Sequence, residues 1–228
     1  MTLEELQKNI AIKFKNETLL KEAFVHRSFL NETKNVSPSN ERLEFLGDAI
    51  LSFLTSRYLY SSYPDFPEGI LTNIRSSLVK TISLASIAQK LGLGELLFLS
   101  RGEEESGGRN NNSLLADAFE ALLGAIYLDR GIEQARRFLA EYLFPLAEDI
   151  VKNKSYVDYK SLLQEIIQEE MRISPTYRVV KSEGPDHSRT FWIEAVVNDR
   201  ILGEGSGKSK QEAEQIAAAD ALEKLKRT

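Results

Sequence analysis

Apolar residues recur at three- and four-residue spacings through roughly the first two thirds of the chain. This period matches one face of an α-helix, so the pattern predicts a helical region. The predicted helical segments are 3–14, 17–28, 40–60, 68–91, 113–128 and 132–150. Interruptions rich in Pro, Gly, Asn, Glu and Ser predict loops at 31–39, 63–68 and 102–112.

The pattern changes after a short polar stretch at 152–155. Runs rich in β-branched and aromatic residues predict strands at 176–182, 189–197 and 201–204, with a turn at Asn198–Asp199. Helical segments at 158–170 and 209–226 flank them, and Ser209 with Glu212 matches a capping box. We predict an α+β multidomain chain, with an all-α domain at 1–151, a linker at 152–156 and a small α-β-β-β-α domain at 157–228.

Composition narrows the possible chemistry. The 228 residues include no cysteine and two histidines, His26 and His187, so disulfides, thiolate sites and multi-imidazole metal sites are excluded. No signal peptide and no apolar stretch long enough to cross a bilayer is visible, which predicts a cytoplasmic protein without a membrane partner. The net charge is −5, with both halves acidic, which argues against a broadly basic nucleic-acid surface.

Acidic residues stand beside apolar faces on two predicted helices. Glu41, Glu44 and Asp48 fall within a sector of roughly 60° at ~100° per residue, and Gly47 between them suggests a close approach to the backbone. Asp117 and Glu120 share a face of the second helix, with no Lys or Arg within one turn. Such pairs are usually solvated, but here the flanks are apolar, so unpaired carboxylates would be costly. Together they would form an all-oxygen site suited to Mg²⁺ and to phosphodiester hydrolysis.

The second domain contains three polar clusters that could follow one face of A-form RNA. The first helix carries Lys160, Gln164 and Gln168, and a loop between two strands holds His187. Lys208, Ser209 and Lys210 open the last helix, where free N–H groups and the helix dipole favour phosphate. Each cluster alone is weak evidence, but their order and spacing predict recognition of an RNA duplex by its shape.

Long segments of the sequence resemble the bacterial ribonuclease III family over essentially the whole chain. NERLEFLGDAIL at 40–51 and LLADAFEALLGAIYLDRG at 114–131 resemble its two catalytic segments, and HRSF at 26–29 also matches. The segments that resemble its double-stranded-RNA-binding domain are DYKSLLQE (158–165), PTYRVV (175–180), GPDHSRTF (184–191) and GEGSGKSKQEAEQ (203–215). The resemblance implies an endoribonuclease domain followed by a double-stranded-RNA-binding domain.

The resemblance also implies roles for individual residues. Glu44, Asp48, Asp117 and Glu120 would hold Mg²⁺, which Mn²⁺ could replace, with Asp48 and Glu120 most critical for catalysis and Glu41 lining the catalytic valley. The enzyme would be a homodimer without a small-molecule cofactor and would leave 5′-phosphate and 3′-hydroxyl ends on ribosomal RNA precursors and other structured transcripts. Phe45 would insert into the partner subunit, although a place in the core explains it almost as well. His26 is expected to form structural hydrogen bonds.

One position departs from the family pattern. Gln211 follows Lys210, where the family often has a second lysine, so the phosphate contact there is less certain than the catalytic site. The main alternative is a non-catalytic duplex-RNA-binding protein on the same fold, which would be free to lose the carboxylates. A duplex-RNA deaminase would need zinc-binding cysteines and is therefore excluded.

Overall fold

The computed structural model describes residues 1–32, 38–154, 156–185 and 188–226. Its contacts divide the chain into two compact units, Met1–Tyr156 and Val157–Thr228. Each unit has its own cluster of buried apolar side chains. The predicted fold class is confirmed: a helical unit is followed by an α-β-β-β-α unit. No helix among the described residues is long and apolar enough to cross a bilayer.

The first unit is helical throughout its described part. Helices α1 to α9 are Leu3–Asn9, Glu17–Glu22, Glu41–Ser62, Glu68–Val79, Thr81–Lys90, Arg101–Glu105, Asn112–Arg130, Ile132–Tyr142 and Pro145–Lys152. Short 3₁₀ turns lie at Arg27–Asn31, Leu93–Leu96 and Gly108–Asn110. Helices α3 and α7 are the longest of these and pack against each other along the centre of the unit.

Two of the predicted long helices are broken. The segment 68–91 forms α4 and α5 because Lys80 is extended, and the Ser83 hydroxyl donates to the carbonyl of Ser77 near the end of α4. The segment 132–150 forms α8 and α9 because Pro145 has no N–H to continue a helix and instead occupies the first turn of α9. Periodicity alone missed both breaks because the apolar spacing continues across them.

Other boundaries also differ from the predictions. Helix α1 ends at Asn9, and the chain turns at Ala11, which has positive φ, while Ile10, Ile12 and Phe14 are buried. Segment 17–28 is helical only to Glu22 before the chain enters the 3₁₀ turn. The predicted loop at 102–112 contains most of α6, a 3₁₀ turn and the start of α7.

The second unit is a three-stranded antiparallel sheet with two helices. Helices α10 (Tyr159–Met171) and α11 (Lys210–Lys226) pack together, and α11 covers β2 and β3. The strands are β1 (Thr176–Glu183), β2 (Thr190–Val197) and β3 (Arg200–Gly207), in that order across the sheet. Asn198 and Asp199 both have positive φ, as expected for the tight turn predicted between β2 and β3.

Strand β3 is longer than predicted because it includes Gly205, Ser206 and Gly207. A Cβ atom at Gly203 or Gly205 would lie 2.3 Å from backbone atoms of Ala217 on α11. The glycines at alternate positions therefore allow α11 to lie close to the sheet. Their period of two is the period of a strand, although the predicted strand ended at residue 204.

Candidate active site and nucleic-acid interface

The predicted acidic residues lie on the two central helices of the first unit. Glu41 and Asp48 are exposed on α3, and Glu44 between them is half-buried. Asp117 and Glu120 are half-buried on α7. Neighbours on the same helices, including Leu43 and Phe119, enter the core. Each helix thus buries its apolar face while leaving its carboxylates accessible to water.

Two glycines allow α3 and α7 to cross closely at this point. A Cβ atom at Gly47 would lie 1.9 Å from the carbonyl oxygen of Glu120, and one at Gly124 would lie 2.3 Å from that of Leu43. Either contact is too short for real atoms, so any larger residue would force the helices apart. The close approach inferred from Gly47 is confirmed, and the approaching element is the helix that carries the second acidic pair.

Burial and mutual repulsion raise the pKa of carboxyl groups at the crossing. The pKa of Glu120 is raised to about 8, and burial of its carboxyl group is the largest cause. Repulsion from Asp48, Glu44 and Asp117 raises this pKa further. Burial also raises the pKa of Glu44, with added repulsion from Asp117, Glu41 and Asp48. The pairwise repulsions show that the five carboxylates, predicted on two separate helices, form one electrostatic cluster.

Protein cations do little to neutralise this cluster. Within the described residues, no Lys or Arg forms an ion pair with Glu44, Asp48, Asp117 or Glu120. Glu41 accepts a hydrogen bond from Ser39 Oγ at 2.7 Å and lies 3.8 Å from Arg27 Nη1. No three described Asp, Glu or His side chains are placed closely enough to hold one ion directly. The arrangement is an open acidic surface rather than a closed cage.

His26 is held by hydrogen bonds beside this surface. Its Nδ1 lies 2.8 Å from Ser28 Oγ and accepts from the Ser28 N–H at 3.3 Å. Ser28 Oγ in turn accepts from the Ser100 N–H at 3.0 Å. The bonds describe the structural role predicted for His26. The pKa of Asp117 is raised, mainly because the carboxyl group is partly buried. The charges of His26 and Arg27 act in the opposite direction and lower this pKa.

Phe45 lies on the outer face of α3. Its side chain is 80% exposed, so it is not part of the core of this chain. Ala49 and Phe53, one and two turns further along the same face, are also exposed. The exposed apolar stripe fits a contact with another protein surface better than the core position considered as its alternative.

The first cluster of the second unit contains both free and paired side chains. Gln164 and Gln168 are exposed on one face of α10. Lys160 Nζ instead lies 2.6 Å from Glu214 Oε2 and 4.8 Å from the centre of the Tyr177 ring. The structure therefore places Lys160 in an intramolecular ion pair, which must be exchanged or shared if it binds phosphate.

Two hydrogen bonds of a capping box fix the start of α11, which was predicted to bind phosphate. Ser209 Oγ accepts from the Glu212 N–H at 3.1 Å, whereas the Glu212 carboxylate accepts from the Lys208 N–H at 2.7 Å. The capping box differs from the expected one, because the Glu212 carboxylate accepts from the N–H of Lys208 rather than from that of Ser209. Lys208 Nζ also donates to Thr190 Oγ1 at 3.1 Å, and Lys210 is exposed. His187 lies outside the described residues.

The fold and these surfaces define a class: a helical ribonuclease domain with clustered carboxylates, joined to a module for duplex RNA. A family model described as Ribonuclease-III-like matches residues 16–146, and the double-stranded RNA binding motif matches residues 159–225. The chain belongs to the ribonuclease III family and is an endoribonuclease of that family.

Individual relatives agree with this assignment. The chain is 46% identical to Ribonuclease 3 of Treponema denticola, over 98% of this chain and 91% of that protein. It is 47% identical to Ribonuclease 3 of Caldanaerobacter subterraneus subsp. tengcongensis, over 98% of both. The nuclease domain of Campylobacter jejuni ribonuclease III superposes with a TM-score of 0.59 at 39% identity, covering 63% of this chain and 99% of that domain.

Arg27 is the neighbour of the site that the sequence analysis did not single out. It lies within the HRSF segment, yet nothing in the sequence shows that this segment reaches the crossing of α3 and α7. Only the folded chain places its guanidinium beside Glu41.

Proposed function

We propose that the chain hydrolyses double-stranded RNA in a Mg²⁺-dependent reaction, with Mn²⁺ able to replace Mg²⁺. The observation that carries the proposal is the cluster of carboxylates at the α3–α7 crossing, where the pKa of Glu120 is raised to about 8. A carboxyl group so perturbed gains most from a nearby cation. Oxygen ligands are those that Mg²⁺ prefers, and it usually retains water ligands, which suits an open acidic surface.

The proposed metal-holding residues are Glu44, Asp48, Asp117 and Glu120. The ion would supply activation of water and stabilisation of the leaving oxygen. In the reaction, a water molecule releases a proton to solvent as its oxygen bonds to phosphorus, the bond from phosphorus to the 3′ oxygen breaks, and that oxygen takes up a proton. Asp48 and Glu120 are proposed as the most critical catalytic carboxylates. Glu41, which is exposed at the edge of the cluster, is proposed to orient RNA or water.

The products expected from this cleavage carry 5′-phosphate and 3′-hydroxyl ends with short 3′ overhangs. Overhangs require two cuts on opposite strands, and we propose that a homodimer supplies the two sites. Phe45 and the exposed face of α3 are the proposed contact with the second copy, because 80% of the Phe45 side chain is exposed in the single chain. Ribosomal RNA precursors and other structured transcripts in the cytoplasm are the proposed substrates.

The second unit is proposed to hold the duplex by its shape. Gln164 and Gln168 on α10 can reach minor-groove hydroxyls, while Lys208 and Lys210 at the start of α11 can reach phosphates across the major groove. Ser209 fixes the helix start through its cap and thereby orients the two lysines. Lys160 would contribute only by exchanging its ion pair with Glu214.

The proposal is tested by incubating the full-length protein with a long RNA duplex in Mg²⁺, in Mn²⁺ and in a chelator. We expect cutting with either metal and none in the chelator. Glu120→Gln should reduce cutting by at least about 100-fold, the lower range for a catalytic side chain, while duplex binding persists. Glu141→Gln, at an exposed position on α8, should cut at the wild-type rate. Near wild-type cutting by Glu120→Gln would show that the site is wrong.

A further inference from the structure

The backbone around Arg27 is fixed from both sides. The His26 N–H donates to the carbonyl of Phe98 at 3.1 Å, and the Phe98 N–H donates to that of Phe24 at 2.9 Å. The Asn40 N–H donates to the carbonyl of Val25 at 2.8 Å, which ties this segment to the residue just before α3. Arg27 is therefore held at a set position relative to the acidic end of α3.

The guanidinium of Arg27 is nevertheless largely free. Its side chain is 72% exposed, and its contact with Glu41 is 3.8 Å long, beyond the range of a direct hydrogen bond. An exposed pair of this kind contributes little to stability. Among the described residues, its five N–H donors form no hydrogen bond and can serve another acceptor.

The charge of the site explains why a cation is needed there. RNA phosphates and the clustered carboxylates repel each other, and Arg42, which lies between Glu41 and Glu44 in α3, forms no ion pair with the cluster among the described residues. Within the described residues, Arg27 supplies the only ion pair to this cluster.

We propose that Arg27 is a positioning residue that binds a backbone phosphate of the RNA strand being cut. The inference rests on the proposed site of phosphodiester hydrolysis. It gives a role to a residue that the proposed chemistry of the carboxylates does not require. Arg binds phosphate through a planar fork that Lys cannot reproduce. The phosphate would lie next to the scissile one, held by the guanidinium while the carboxylate cluster acts on its neighbour.

The first arm of the test measures binding, which does not depend on cutting. Duplex affinity is measured across a salt series in the Glu120→Gln background, with and without Arg27→Gln. Loss of one phosphate contact should lower the slope of log affinity against log salt by about one. Arg137→Gln is the matched control, because Arg137 is exposed on α8, a helix that carries none of the clustered carboxylates. It should leave the slope unchanged.

The second arm identifies the contact on the RNA. A duplex whose cut site has been mapped with the wild-type enzyme is made with single uncharged methylphosphonate linkages near that site. One linkage should lower wild-type kcat/KM by about 10-fold, consistent with losing one charge-assisted hydrogen-bonded contact, yet cause no further loss in Arg27→Gln. Arg27→Lys should recover part of the salt slope but little of the rate.

The outcomes separate this inference from the proposed function. If the wild type does not cut in Mg²⁺, the proposed function fails, whereas the salt slope still tests Arg27. An unchanged slope together with additive effects of Arg27→Gln and every methylphosphonate would overturn the role of Arg27. If Arg27→Gln does not fold, the rates on the methylphosphonate duplexes are measured with Arg27→Lys instead. Additive effects of Arg27→Lys and every methylphosphonate would likewise overturn the contact.

Discussion

Glu120, a proposed catalytic residue, lowers the stability of the folded chain when its carboxyl group is ionised. It is half-buried on α7, and burial together with repulsion from three neighbouring carboxylates raises its pKa to about 8. The folded chain consequently binds a proton at this site over a pH range where the unfolded chain has already released it. Between about pH 4.5 and 8, the contribution of Glu120 to stability falls as pH rises, because ionising this carboxyl group in the folded state is costly.

At the residue scale, we predict that Glu120→Gln weakens this pH dependence in metal-free protein. Below pH 4.5 the folded and unfolded carboxyls are both protonated, so the penalty develops only as pH rises toward 8. The neutral Gln side chain does not ionise and so avoids this penalty. The variant should therefore melt about 2–4 °C higher than wild type at pH 8, which corresponds to a gain of ~1 kcal/mol in the free energy of unfolding for a chain of this size.

The measurement is the melting temperature with chelator present at pH 5 and pH 8. At pH 5 the two proteins should differ little, since wild-type Glu120 is then protonated. Part of the slope should survive in the variant, because the pKa of Glu44 and that of Asp117 are raised as well. Parallel pH profiles for variant and wild type would contradict the electrostatic account.

At the scale of elements, helix ends and crossings decide what the side chains can do. The start of α11 combines free N–H groups, a Ser209 cap and two lysines. The Ser209 hydroxyl and the Glu212 carboxylate, the two side chains of the motif, fix the backbone at Glu212 and Lys208 by hydrogen bonds. Binding energy from the two lysines is then not lost in ordering the loop.

We predict that Lys208→Ala combined with Lys210→Ala flattens the salt dependence of duplex binding by about two units of log–log slope. Affinity should fall for all duplex sequences alike, because phosphate contacts carry no base information. Binding is measured over a salt series with two duplexes of unrelated sequence. An unchanged slope would place the anchoring phosphates elsewhere, for example on the nuclease unit.

Gln164→Ala is the matched comparison for the lysine variant. Gln164 is exposed on α10 and uncharged, so its loss releases no counterions. Affinity should fall while the salt slope stays the same. If Gln164 contacts a 2′-hydroxyl, the preference for RNA over DNA should also weaken. A change in slope for this variant would mean that its effect is transmitted to a charged contact.

At the scale of the whole molecule, the two units are physically separate folds. The first buries its core among helices, and the second buries α10 and α11 against its sheet. Tyr156 ends the first unit and packs near Phe66, with ring centres 6.2 Å apart. The structural boundary therefore includes a residue that the sequence assigned to the linker.

We predict that a fragment of residues 1–156 folds, remains dimeric and cuts duplex RNA weakly at low salt. It should lose most of its duplex affinity at physiological salt, because the module at 157–228 is missing. Circular dichroism, sedimentation and the cutting assay check the three properties. A monomeric or unfolded fragment would show that the first unit depends on the second.

Local patterns predicted the secondary structure wherever one period ran without interruption. Helices α3 and α7 and the three strands follow directly from such runs. The breaks at Lys80 and at Pro145 were missed, because apolar spacing continues across them while a single extended residue or missing N–H ends the helix. The end of β3 was missed because its glycines alternate with polar residues, so no apolar run continues into it.

The candidate site could be predicted as two separate groups of carboxylates, but not as one surface. The sequence showed the face of each helix and a glycine whose backbone something must approach. It did not show that Gly47 meets Glu120, that Gly124 meets Leu43, or that Arg27 reaches the same place. It also could not show that Lys160 is paired with Glu214, since the two lie 54 positions apart.

By itself, the sequence determined the two-domain organisation, the oxygen-only character of the acidic site and the family to which the chain belongs. These properties depend on residue types and on periods within single elements, which are local. The tertiary structure decided which elements touch and therefore which carboxylates repel, how far the pKa of Glu120 rises and which cations remain free. Electrostatic interactions depend on distance in space, and only packing converts positions along the chain into distances.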